Sequence, residues 1–118
     1  MRVLLADDHP KVQQALRVFI TEEPDLHIVG EVSKVETLLS QTRGLQPDLI
    51  LLSWELEGCP GEKLLCDLCA LGLPTRVIVL SWRPECEQDA LAAGADGFVC
   101  KAAGPQPLLA ALRATSIN

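Results

Sequence analysis

The hydrophobic residues of this sequence form five short runs, and longer segments of mixed apolar and polar character separate them. The runs cover residues 3–6, 28–32, 49–52, 77–80 and 98–100. The runs at 49–52 and 77–80 are apolar throughout, which indicates strands buried on both faces of a parallel sheet. Five strands are therefore expected.

The segments between the runs carry helix signals. Val12, Ala15, Leu16 and Phe19 recur at the spacing of one helix face, and Pro10 suits the first turn of that helix. The first helix is expected to end before Pro24, the second to lie between Ser33 and Gly44, and the others to cover 61–71, 85–93 and 106–114. The second opens on the capping-box pattern of residues 33–36. Strand and helix thus alternate, which predicts an α/β fold: a five-stranded parallel sheet flanked by five helices.

Length and charge limit what such a domain does. The 118 residues suffice for one core, so residues 1–118 are expected to form one domain. A net charge of -6 argues against direct nucleic-acid binding. No apolar run approaches the ~20 residues of a membrane span, and Asp7 and Asp8 interrupt the first run before it resembles a secretion signal. The five cysteines are expected to be free thiols in the cytoplasm.

Polar side chains follow four of the five runs directly. They are Asp7 and Asp8 after the first, Ser53, Trp54 and Glu55 after the third, Ser81, Trp82 and Arg83 after the fourth, and Lys101 after the fifth. Because the carboxyl ends of parallel strands meet at one edge of a sheet, these side chains are expected to lie together. Two carboxylates, a hydroxyl and an ammonium suit a hard cation beside a phosphoryl group.

Four segments, in order and at matching spacing, resemble the CheY-like receiver domains of two-component response regulators, especially those that carry a LuxR-type helix-turn-helix. The segments are LLADDHP at 4–10, PDLILL at 47–52, VIVLS at 77–81 and AGADGFVCK at 93–101. The resemblance implies a flavodoxin-like (βα)5 receiver fold in a signal-transduction protein that regulates transcription. It also implies that a helix-turn-helix domain follows residue 118 in the parent protein.

The resemblance also implies roles for individual residues. Asp7 and Asp8 would hold Mg²⁺, with Asp8 the more direct ligand. Ser81 would be the switch hydroxyl that turns toward a bound phosphoryl group, Lys101 would pair with that group, and Phe98 would be the aromatic residue that changes rotamer. Ordinary structural roles compete with these: the aspartates as helix caps, Phe98 as core and Lys101 as a solvated charge.

The sequence departs from the family at the residue that follows the third strand. Receivers carry there the aspartate that accepts the phosphoryl group, whereas this chain has Ser53. A serine hydroxyl is not a nucleophile near neutral pH without a base, so phosphotransfer is expected to be lost. Mg²⁺ binding is expected to be weakened because one of three carboxylates is missing. Trp82, at a position that is small in most receivers, and Glu57, an acid in the loop after Ser53, point to natural loss of phosphotransfer.

Trp54, Glu55, Trp82 and Arg83 are expected at the rim of the pocket. Trp82 is expected to lie over it, and Glu55 and Arg83 are either ion-paired across it or separately solvated. An ion pair of this kind at a surface contributes only ~0 to 1 kcal/mol, so it would bias the loop without fixing it.

The sequence favours a signalling module that acts through dimerisation or partner contacts, independently of phosphorylation. The contact surface would be the first and fifth helices, or the face around the fourth and fifth. A sensor histidine kinase would be dispensable, and DNA would be reached only through a separate C-terminal domain. Two alternatives stay open: a small-molecule-binding pseudo-receiver with Trp54 and Trp82 as aromatic walls, and an ordinary receiver with an engineered Asp-to-Ser change at Ser53. An enzyme acting on an outside substrate is not expected.

Overall fold

A computed structural model describes residues 1–116 and contains one parallel five-stranded sheet. The strands are β1 (Arg2–Ala6), β2 (His27–Val32), β3 (Leu49–Ser53), β4 (Arg76–Ser81) and β5 (Gly97–Cys100). Their order across the sheet is β2-β1-β3-β4-β5. The predicted α/β class and all five predicted strands are therefore confirmed, with ends that differ from prediction by one residue at most.

Five α-helices connect and follow the strands. They are α1 (Pro10–Thr21), α2 (Val35–Leu45), α3 (Gly61–Cys69), α4 (Glu87–Ala92) and α5 (Pro105–Ser116). Short 3-10 turns at Pro84–Cys86 and Lys101–Ala103 precede α4 and α5. The helix predicted at 85–93 is therefore a 3-10 turn followed by a shorter α-helix, and the helix predicted to end at 114 continues to Ser116.

The helices cover both faces of the sheet. On one face, α1 and α5 place Leu16, Ile20, Leu108 and Leu112 against alternate residues of the strands. On the other face, the apolar residues of α2, α3 and α4 pack against the remaining strand positions. The sheet is thus buried on both sides, which explains why β3 has no exposed residue and reads as a continuous apolar run.

The predicted capping box at the start of α2 does not form. The helix begins at Val35, so Lys34 is the N-cap residue, and it makes no side-chain capping hydrogen bond. A capping box needs Ser33 at the N-cap position and Glu36 three residues later, and the observed start shifts both by one position.

Two other expectations can be compared with the described residues. All five cysteines are free, as predicted. Within residues 1–116, every helix is too short or too polar to span a lipid bilayer.

Candidate functional site

The carboxyl ends of β1, β3, β4 and β5 bring four side chains to one edge of the sheet. The parallel register places Ser53 beside Leu80 of β4, and Ser81 beside Cys100 of β5. Asp7 follows β1 immediately and Lys101 follows β5. Asp7, Ser53 and Ser81 are each at most 2% exposed, although they are polar. Buried polar groups need partners, so their hydrogen bonds define the site.

Lys101 lies at the centre of the first part of the site. Its Nζ donates a hydrogen bond to Asp7 Oδ2 at 2.8 Å and another to Ser53 Oγ at 2.9 Å. The side chains of Lys101 and Asp7 are only 6% and 2% exposed, so this ion pair is shielded from water. A buried ion pair is tolerated when further hydrogen bonds satisfy its charges, and Ser53 supplies one of them.

The aspartates also organise the loops at this edge. Asp7 Oδ1 accepts a hydrogen bond from the His9 backbone N–H at 2.8 Å, which fixes the turn into α1. Asp8 Oδ2 accepts one from the Glu57 backbone N–H at 3.2 Å and so links the β1–α1 loop to the β3–α3 loop. Sequence reasoning did not anticipate this link, because the donor belongs to the backbone.

The donor set fits Mg²⁺ poorly. Within the described part of the chain, no group of three or more His, Cys, Asp or Glu side chains is placed to hold a metal ion. Both carboxylate oxygens of Asp7 already accept hydrogen bonds, one of them from an ammonium group. Mg²⁺ is normally bound through one or two carboxylates in addition to phosphate and water oxygens, so it would have to displace Lys101 to use Asp7 fully.

The second part of the site is built around Glu55. Ser81 Oγ donates a hydrogen bond to Glu55 Oε2 at 2.6 Å, and the Trp82 backbone N–H donates one to Oε1 at 3.0 Å. The Arg83 backbone N–H in turn donates to Ser81 Oγ at 3.0 Å. The suggested ion pair between Glu55 and Arg83 is not formed among the described residues, because the carboxylate faces Ser81 instead. Together these bonds form the Glu55–Ser81 contact.

Trp82 lies at the mouth of the site. Its side chain is half exposed, and Lys101 Nζ lies 5.7 Å from the centroid of its ring. That distance is within the range of a cation–π interaction. Trp82 therefore covers the Lys101 ammonium on the side that faces solvent.

Trp54 was predicted at the rim of the pocket, but the structure places it in the core. It is 6% exposed and belongs to the core cluster on the α2, α3 and α4 face. The reason is strand alternation: Ile50, Leu52 and Trp54 point to one face of the sheet and Leu49, Leu51 and Ser53 to the other. Counting by two from the strand would have placed Trp54 correctly.

The other two residues singled out from the sequence have simple surroundings. Phe98 is partly buried and packs against the same core cluster as Trp54. Arg83 is exposed, and its backbone N–H is the group that takes part in the site.

An apolar groove of about 500 Å³ adjoins the site. It lies between α1 and α5 and is lined by residues that include Val12, Phe19, Trp82 and Leu108. The apolar stripe of α1 was predicted from the sequence, but the groove was not, because the pattern does not reveal that α5 leaves part of this stripe uncovered.

A family model and similar curated proteins point to the same family. Residues 3–113 match the response regulator receiver domain. The chain is 38% identical over 113 residues to the nitrate/nitrite response regulator protein NarL of Escherichia coli, covering 93% of this chain and 52% of that protein. It is 35% identical over 102 residues to the virulence factors putative positive transcription regulator BvgA of Bordetella pertussis, covering 85% and 48%. The chain thus spans about half the length of these relatives.

Solved structures agree with the sequence comparison. The signal receiver domain of the putative response regulator NarL from Mycobacterium tuberculosis superposes with a TM-score of 0.87 at 27% identity, covering 99% of this chain and 97% of that one. A LuxR-family two-component response regulator from Aurantimonas superposes with a TM-score of 0.89 at 26% identity, covering 96% and 82%. The chain therefore belongs to the response regulator receiver domain family, and its relatives are two-component transcriptional regulators of the NarL and LuxR type.

Proposed function

We propose that this chain is a signal-input receiver domain in which Ser53 takes the position of the phosphate-accepting aspartate, so that its conformation is set without phosphotransfer. The contact between Lys101 Nζ and Ser53 Oγ carries the proposal. The hydroxyl at the end of β3 accepts a hydrogen bond from a cation, and that cation is itself paired with Asp7.

This arrangement gives Ser53 no route to nucleophilic attack. A serine needs a base that accepts its proton, and the Lys101 ammonium is a donor with no free lone pair. The Ser53 side chain is also 2% exposed, which leaves little room for an incoming phosphoryl donor. The hydroxyl serves instead as a neutral partner for the buried lysine.

Mg²⁺ binding is weak in this proposal, because Asp7 and Asp8 lack a third carboxylate and are engaged in other contacts. The protein is a cytoplasmic binding module rather than an enzyme. Its output is association with a second copy or a partner, a sensor histidine kinase is not required, and DNA is contacted through a separate C-terminal domain. In this proposal the serine is natural, since Trp82 and Glu57 also depart from the usual receiver pattern and a single Asp-to-Ser change would not explain them.

The position of Trp54 weakens the support for a small-molecule pocket with two tryptophan walls. Trp54 is 6% exposed and lies in the core, whereas Trp82 borders the groove between α1 and α5. Tryptophan fluorescence measured during titration with small metabolites tests this alternative directly.

A phosphorylation assay tests the main proposal. The unaltered chain, Ser53→Asp and Ser53→Asn are incubated with radiolabelled acetyl phosphate and Mg²⁺. We expect no label on the unaltered chain or on Ser53→Asn, which is matched to aspartate in size but lacks the carboxylate. Ser53→Asp should acquire a base-labile label if the remaining site is intact. Stable labelling of the unaltered chain at the end of β3 would overturn the proposal.

A further inference from the structure

The carboxylate of Glu55 makes two hydrogen bonds of a particular kind. One oxygen accepts from the Ser81 hydroxyl and the other from the Trp82 backbone N–H. The first distance, 2.6 Å, is in the range of a charge-assisted O–H···O⁻ bond. Both donors therefore face an anionic acceptor that belongs to the chain itself.

A phosphoryl group would offer the same chemistry, because it also presents anionic oxygens to hydroxyl and N–H donors. The family resemblance assigns two contacts to that one group: Lys101 would pair with it, and Ser81 would turn toward it. In this structure Lys101 is bonded to Ser53 and Asp7, and Ser81 is bonded to Glu55. Three side chains, those of Asp7, Ser53 and Glu55, thus occupy the two donors that a single phosphoryl group would engage.

We propose that Glu55 acts as a built-in substitute for the phosphoryl group and holds the Ser81 hydroxyl in one orientation at all times. This inference rests on the proposed function, since it concerns the state of a site that is not phosphorylated. Glu55 is a positioning residue: it acts through Ser81 and through the backbone of Trp82.

The position of Trp82 follows from the same contact. Glu55 holds its backbone N–H, while Lys101 lies below its ring at 5.7 Å. The next residue along the chain is held to Ser81 as well, because Arg83 N–H donates to Ser81 Oγ. Removal of the Glu55 carboxylate would therefore free the Ser81 hydroxyl and the Trp82 backbone N–H together.

Amide hydrogen exchange tests whether the contact holds this segment. We expect Glu55→Ala to speed the exchange of the Trp82 amide by about tenfold or more, the effect of losing a hydrogen bond to a charged group. Glu57→Ala is the matched control, since Glu57 lies in the same loop and its side chain is in no ion pair within residues 1–116. The Leu51 amide in β3 reports that the fold is retained. Equal Trp82 exchange in Glu55→Ala and Glu57→Ala would overturn the proposal.

Competition with a phosphoryl analogue tests the substitute role itself. A hydrogen bond with only a structural role would not change the affinity for the analogue. Beryllofluoride with Mg²⁺ is titrated into Ser53→Asp, Ser53→Asp/Glu55→Ala and Ser53→Asp/Glu57→Ala. We expect the Glu55→Ala double variant to bind about tenfold more tightly than the other two, because the analogue no longer competes with a resident carboxylate for Ser81. Equal affinity in all three would show that Glu55 does not occupy that role. Neither experiment measures labelling of Ser53, so failure here is distinct from failure of the proposed function.

Discussion

Lys101 is the residue on which the first part of the site depends. Its ammonium is nearly buried and is satisfied by Asp7 and Ser53. Loss of one member of a buried ion pair leaves the other charge without compensation in a low-dielectric environment, and that loss costs more than the pair contributes.

Lys101→Met tests this. We expect it to lower the free energy of unfolding by about 3–5 kcal/mol, because the Asp7 carboxylate is left buried and unpaired. Urea denaturation followed by circular dichroism measures the change. Lys63→Met is the control: Lys63 is paired with Asp67 on the surface, and the change should leave the unfolding midpoint where it is. Similar losses in the two variants would contradict the shielding of the Lys101 pair.

Gly61 and Trp54 give a second prediction at the residue scale. A Cβ atom at Gly61 would lie 2.6 Å from atoms of the Trp54 ring. Gly61→Ala is therefore expected to destabilise the fold by about 1–3 kcal/mol through overpacking. Gly44→Ala is the matched control, because an added Cβ there would face open space outside the helix backbone and the helix favours alanine, by up to ~1 kcal/mol. Thermal unfolding of both variants should give shifts of opposite sign.

Sequence reasoning at this scale identified which residues reach the edge of the sheet, and it was weaker on where their side chains point. Asp7, Ser53, Ser81 and Lys101 follow apolar runs, and the structure brings them together. The Glu55–Ser81 contact was missed because a loop residue has no periodicity that fixes its direction.

At the scale of elements, the C-terminus of α2 has an unfavourable backbone conformation for a residue other than glycine. Gln46 ends the helix with a φ of 48°, the one positive φ of a non-glycine residue in the described range. Its backbone N–H bonds to the Thr42 carbonyl, so the left-handed conformation closes the last turn.

Gln46→Gly is expected to stabilise the protein by about 1 kcal/mol, since glycine adopts this conformation without a Cβ clash. The same substitution inside the helix, Gln41→Gly, should destabilise it by about 1 kcal/mol. Urea denaturation of the pair checks the signs. Destabilisation by Gln46→Gly would show that the side chain contributes more than the backbone conformation costs.

The elements that were predicted best are those whose burial is complete. The runs in β3 and β4 are apolar on both faces, and they became the central part of the sheet. The start of α2 was predicted one residue early, because Ser33 and Glu36 form a capping-box pattern in sequence that the observed start of the helix does not use. Helix ends depend on such local competition, whereas strand burial depends on the whole fold.

At the scale of the whole molecule, exposed apolar residues distinguish the two candidate surfaces for the association proposed above. Val18 on α1 is 55% exposed and Leu91 on α4 is 44% exposed. The apolar groove is lined by residues of α1 and α5. This favours the surface of α1 and α5 over the surface of α4 and α5 for the proposed association.

Val18→Asp is expected to shift the protein toward the monomer, because association would bury an unpaired carboxylate. Leu91→Asp should leave the association unchanged. Sedimentation velocity over a range of protein concentrations measures the effect. A monomer at all concentrations in the unaltered chain would contradict association, and a larger effect of Leu91→Asp would assign it to the face around α4.

The Glu55–Ser81 contact has a consequence for the duration of a signal. An acyl phosphate is a temporary mark, since water removes it and the protein returns to rest. A glutamate of the polypeptide cannot be removed by hydrolysis. A conformation that it maintains would therefore not return to a resting state with time. The strength of such an output would follow the number of molecules present, and the cell would end it only by stopping synthesis or by degrading the protein.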